Sequence, residues 1–109
     1  MARWLVDGNN VMGSRPDGWW RDREAGMQRV VDALDDRARD TGDEIEVVFD
    51  GRDRDLQATY VTVAFAPHAD DAIADRAAPG TTVITSDREL RERVQAKGAD
   101  VLGASAALG

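Results

Sequence analysis

Four aspartates in this 109-residue chain stand where one kind of local structure should give way to another. Asp7 follows the apolar run Trp4-Leu5-Val6, Asp50 follows Ile45-Glu46-Val47-Val48-Phe49, and Asp87 follows Thr81-Thr82-Val83-Ile84-Thr85 and Ser86. Asp70 opens a helix-patterned stretch after Pro67-His68. Short apolar runs broken by Gly or by a capping residue read as buried strands. Each acid then lies at or beside a strand's carboxyl end, the edge at which open α/β sheets bind ligands. Taken singly they are ordinary, since Asp initiates turns and is favoured in the first turn of a helix. Brought together they repel, and hard cations such as Mg²⁺ or Mn²⁺ stabilise such a group through its oxygens. Those ions activate water and stabilise the leaving oxygen of a phosphodiester. With no Cys and a single His, the chain has no ligand set for structural zinc.

The elements that must position these acids follow from periodicity. After Asp7, Gly8-Asn9-Asn10 reads as a turn with room for close approach, and Met12 to Arg21 as a loop rich in Gly, Pro and Asp. That loop carries Arg15, Trp19, Trp20 and Arg21, types that stack on bases and pair with phosphates. A structural alternative has one Trp covering the core while Arg21 pairs with Asp17 or Glu24. From Asp22 to Arg39, Met27, Val30, Val31, Leu34 and Ala38 mark one helical face, with Asp22 as cap and Thr41-Gly42-Asp43 as stop. The opposite face alternates Arg with Asp and reads as a self-paired, solvated surface.

Ile45 to Phe49 is the second strand, parallel to the first, and Arg52-Asp53-Arg54-Asp55 after it reads as a solvent-facing loop. Thr59 to Phe65 is a third strand at an edge. The helix from Ala69 to about Ala78 puts Asp70, Ile73, Ala74 and Ala77 on the sheet-facing side, with Asp71 and Asp75 on a neighbouring one. Asp75 is then either an outer member of the acidic group or a partner of Arg76 or Arg88. His68, in a loop, reads as exposed or capping rather than as a ligand. Ser86 and Glu89 have capping-box spacing before a helix with Leu90 and Val94 inward, and Ala99 to Leu102 is a last strand. The small residues from Gly103 to Gly109 are expected to fray.

The order is β-α-β-β-α-β-α-β, which predicts one α/β domain over residues 1–109: a three-layer α/β/α sandwich on a mainly parallel sheet. The formal net charge of −7 favours solubility and offers no general attraction for nucleic acid. Between Arg15 and Arg29 four arginines face Asp17, Asp22 and Glu24, a thin local handle for RNA. No stretch has the length of a membrane span or the apolar core of a signal peptide, so a cytoplasmic location is expected. A monomer is expected, or a weak homodimer through the third strand or the Trp loop.

Asp7-Gly8-Asn9-Asn10, Val47-Val48-Phe49-Asp50-Gly51, Ala69-Asp70-Asp71-Ala72-Ile73 and Thr85-Ser86-Asp87, in that order, resemble the NYN (YacP-like) domains of the PIN-like nuclease superfamily. The resemblance implies a metal-dependent endoribonuclease in which Asp7, Asp70 and Asp87 are the metal-binding, catalytic acids for Mg²⁺ or Mn²⁺. By the same match Asn10 closes the first motif and Asp50 supports the site, with Asp71 and Asp75 as less secure additions. Asn10 and Ser86 would orient ligands or water. The chain is shorter than many YacP-like members and acidic, so ribosome-assisted capture of RNA is one expectation, and an RNA-binding, regulatory domain without cleavage is the alternative. A receiver-like phosphoacceptor at Asp50 is a remote third. It would require an acidic pair near Asp7 and a Lys after the last strand, where this chain has Asn9-Asn10 and no such Lys.

Overall fold

The structure, a computed structural model, describes residues 1–108. Strands β1 (Arg3–Asp7), β2 (Glu44–Asp50), β3 (Thr62–Ala66), β4 (Thr82–Ile84) and β5 (Asp100–Leu102) form one sheet. Their order is β3-β2-β1-β4-β5, and every pairing is parallel. Alternation along the strands builds two cores. Trp4, Val6, Val47 and Phe49 face helices α1 (Gly8–Gly13) and α2 (Arg23–Thr41). Leu5, Val48 and Val83 face α3 (Ala69–Arg76) and α4 (Arg88–Gln95). The expected three-layer α/β/α arrangement is thus present, and the sheet is wholly rather than mainly parallel.

Helix α2 is what its periodicity predicts. Met27, Val30, Val31, Leu34 and Ala38 are all buried, Asp22 caps the first turn by accepting the Ala25 N–H, and Gly42 ends the helix at φ 73°. The β2–β3 connection contains no helix. Instead Asp35 of α2 accepts the N–H groups of Thr59, Tyr60 and Val61, and Gln28 exchanges two hydrogen bonds with Gln57. Asp35 is therefore spent on holding this crossover and not on a neighbouring Arg. The same clamp shortens the third strand, which begins at Thr62 rather than Thr59.

Two stretches differ from expectation. Gly8-Asn9-Asn10 is not a turn but the start of α1, capped by Asp7 through the Asn10 N–H. Its residues are poor helix formers, and burial decides: Val11 and Met12 are each 1% exposed, a gain of roughly 1.5–3 kcal/mol per side chain. Gly8 is required because a Cβ there would lie 2.5 Å from the Phe49 ring. The tail does not fray: Ala104–Leu108 forms a 3-10 turn with Ala104 and Ala107 buried against the first core, while Gly109 lies outside the described residues. Among the described residues no helix is long and apolar enough to cross a membrane.

Candidate active site

The strand order reverses at β1, which has β2 on one side and β4 on the other. A crevice opens at the carboxyl ends of strands at such a switch point. There a cleft of about 510 Å³ is lined by Asp7, Asp50, Asp70 and Asp87 together with Asn9, Asn10, Pro67 and His68. Four elements that are distant in sequence thus deliver the four acids to one place.

Asp7 is the central and deepest of them, only 8% exposed at the end of β1. Its Oδ2 accepts the Thr85 hydroxyl at 3.0 Å and its Oδ1 the Asn10 N–H at 3.4 Å. Burial raises its pKa above the usual carboxylate value. The Thr85 and Asn10 hydrogen bonds oppose that rise, and the negative charges of Asp50 and Asp87 add to it. Thr85 itself is fully buried and also accepts the Asp87 N–H at 3.1 Å, so one hydroxyl ties the two acids together.

Asp87, not Ser86, caps α4, accepting the Leu90 N–H at 3.0 Å through Oδ1. The capping-box reading fails because Ser86 Oγ turns away to accept the Ala104 N–H at 2.9 Å. Ser86 therefore anchors the tail and is not among the residues that line the cleft. Asn10 does reach the cleft, but its Oδ1 accepts the Ser86 N–H at 2.8 Å, bracing the β4 exit against α1. Asn9 plays the corresponding part on the other side, with its Oδ1 accepting the Asp50 N–H at 2.8 Å. Asp50 Oδ1 in turn accepts the Ala69 N–H at 2.7 Å and so caps α3 from a separate strand, while the His68 side chain makes no capping bond.

Asp70 lies on the arc of α3 that faces the sheet but is exposed rather than buried. It sits in the first turn and lines the cleft beyond the strand ends, leaving Ala69, Ile73 and Ala74 to make the apolar contact. Its neighbour Asp71 faces Arg93 at 3.0 Å, with Asp70 Oδ2 3.9 Å from the same guanidinium. Asp75 is outside the cleft, and the arginines expected to pair with it go elsewhere, Arg76 to Glu46 and Arg88 to Glu92. Asp71 and Asp75 are thus not brought to the site.

Thr85, Asn9 and His68 are the site residues that sequence reasoning missed. Thr85 and Asn9 adjoin the acidic motifs, but nothing local shows that their partners come from another strand. The Trp loop also divides. Trp19 packs against the core under Arg23, whereas Trp20 is 59% exposed. Arg15 is held by the Arg29 carbonyl and Asp17, and Asp17 pairs with Arg29 at 3.0 Å, not with Arg21. Of the proposed RNA contacts, Trp20 and Arg21 remain open.

No protein-family model matches the chain, and no curated protein sequence does. Two crystal structures of Rae1 (YacP) from Bacillus subtilis superpose on it with TM-scores of 0.83 and 0.82, at 25% and 24% identity. Each alignment covers 99% of this chain, and 73% and 72% of those chains, respectively; the first is of a point mutant. The chain has the YacP-like NYN fold. In this nuclease-like architecture the acids are held by caps and cross-strand bonds, and the receiver-like alternative finds no support. The one lysine, Lys97, donates to the Ala74 carbonyl away from the cleft, and Thr85 is occupied by Asp7.

The donor set is all oxygen, as Mg²⁺ and Mn²⁺ require. Among the described residues, however, no three acids stand close enough to enclose an ion unaided. The arrangement fits a hydrated ion, held by one or two carboxylates and completed by water and a substrate phosphate, the usual manner of Mg²⁺.

Proposed function

We propose that the chain is a Mg²⁺- or Mn²⁺-dependent endoribonuclease that hydrolyses RNA phosphodiester bonds at this cleft. The observation that carries the reading is the convergence of Asp7, Asp50, Asp70 and Asp87 at the switch point of a YacP-like sheet. Asp7, Asp70 and Asp87 would share a hydrated ion, one or two of them directly and the rest through its water, and the ion when bound would lower the pKa of water and offset charge on the phosphodiester. Asp7 is pre-aimed by Thr85, and Asp87, which lines the cleft, is fixed by the α4 cap through one oxygen. Asp50 sets the first turn of α3 and hence Asp70. His68 stands at the rim, where an imidazole can pass a proton to a leaving oxygen.

A second reading, RNA binding without cleavage, is favoured by one observation: Asp7, Asp50 and Asp87 each satisfy helix N–H groups, which by itself accounts for three of the acids. Titration of Mn²⁺ and Mg²⁺ followed by amide NMR, alongside cleavage of single-stranded RNA in metal and in EDTA, separates the two. Shifts centred on Asp7, Asp70 and Asp87, lost in Asp7→Asn together with turnover, support the nuclease. RNA binding that is indifferent to EDTA, with no metal-dependent product, would leave only the binding module.

A further inference from the structure

The arginines of this acidic chain are not distributed evenly about the sheet. At its amino edge every one is neutralised: Arg3 pairs with Glu44, Arg37 with Asp43, Arg39 with Asp36 and Asp40, and Arg76 with Glu46. Among the described residues Arg21, Arg23, Arg52, Arg54 and Arg91 have no carboxylate partner. All five belong to segments at the carboxyl edge. Arg21 and Arg23 enter α2, which starts there because it runs antiparallel to the strands it connects. Arg52 and Arg54 lie in the exposed exit from β2, directly after Asp50 of the cleft. Arg91 is one turn beyond Asp87 on the same side of α4, and helical side chains lean toward the N-terminus, here toward the cleft.

Since β2 and β4 flank β1, Arg52 and Arg54 stand on one side of Asp7 and Arg91 on the other. We infer that these unpaired arginines form a split rim which draws the backbone of a single-stranded RNA across the strand ends, over the acids, from the β2 exit to the start of α4. This deepens the nuclease reading by naming what holds the substrate. Guanidinium groups without a carboxylate partner are free to chelate phosphate oxygens. Trp20, exposed beside Arg21, offers a stacking face that an unpaired base can use and a duplex cannot. Among the described residues Asp53 and Asp55 also lack ion pairs and temper the rim, so removing their charge should strengthen it.

The test is fluorescence anisotropy with a labelled single-stranded oligoribonucleotide of mixed sequence, in EDTA to prevent turnover, across a series of salt concentrations. Arg52→Gln with Arg54→Gln should weaken binding about tenfold and lower the salt slope by about one for each phosphate that is no longer neutralised. Asp53→Asn with Asp55→Asn should tighten it. Arg39→Gln, which removes one positive charge at the amino edge, should do nothing. Wild-type affinity in the Arg52/Arg54 variant, an equal loss in Arg39→Gln, or equal affinity for duplex RNA would overturn the rim. Metal-dependent cleavage by the wild type is scored separately. Cleavage with an unaltered Arg52/Arg54 variant rejects the rim and keeps the nuclease, whereas rim-dependent binding without cleavage rejects the nuclease and keeps the rim.

Discussion

The two edges of the sheet make opposite use of similar chemistry. At the amino edge a cavity of about 430 Å³ is lined by Arg3, Glu44, Glu46, Arg76 and Thr81 beside Trp4 and Leu5, and its charges are matched across strands. At the carboxyl edge the cleft of about 510 Å³ gathers four acids with no cation among its lining residues. Size does not distinguish the two. The difference lies in compensation: paired ions in partly solvated positions contribute little and ask for nothing further. Burial raises the Asp7 pKa, the charges of Asp50 and Asp87 add to that rise, and a carboxylate so placed gains from a cation. A buried acid among other acids at one edge distinguishes the candidate site, and the parallel topology explains the gathering, since all strands end on that side.

The largest test of this contrast is Asp7→Asn. Cleavage should fall by about a thousandfold or more, a loss of several kcal/mol of transition-state stabilisation. The same change should raise thermal stability at neutral pH by about 1 kcal/mol, some 4–8 °C for a domain of this size, because it removes a buried charge. A variant that was inactive but also less stable in a thermal melt would show that Asp7 is not frustrated.

Thr85→Val leaves Asp7 Oδ2 without its hydroxyl donor and the Asp87 N–H without its acceptor, so Mn²⁺ affinity measured calorimetrically should drop 10- to 100-fold. Thr85→Ser should retain most of it, and a harmless Thr85→Val would reduce the hydroxyl to packing. The pH dependence of the metal-free protein follows from the raised Asp7 pKa. Between its ordinary value of 3.8 and its folded value the folded state holds the extra proton, so stability is lost as pH rises through that window. Chemical denaturation across acid to neutral pH in EDTA should show this decline in the wild type and not in Asp7→Asn. The smallest effect belongs to the amino edge. Arg76→Gln breaks the pair with Glu46 but should move stability by less than about 0.5 kcal/mol and leave cleavage unchanged. A large loss of cleavage there would erase the distinction between the edges.

What the sequence by itself determined was whatever rests on local periodicity. The apolar face of α2, the five strands and the placing of Asp7, Asp50 and Asp87 at or just beyond strand ends follow from where hydrophobic runs begin and stop. The four motifs, in their order, also resemble the YacP-like domains whose fold the structural comparison then showed. Only the tertiary structure decided which polar groups meet. Asn9 reaches the backbone of Asp50, Asp50 caps a helix that starts 19 residues later, and Thr85 binds an acid 78 residues away. The same holds for α1, whose Gly-Asn-Asn start is turn-forming in isolation and helical because Val11 and Met12 find a core. Ser86 was lost as a cap and Asp87 gained as one because a distant amide, Ala104 N–H, competes for the serine hydroxyl. Hydrogen-bond partners are selected by proximity in space, and a one-dimensional pattern carries no distance between segments that the sheet later brings side by side.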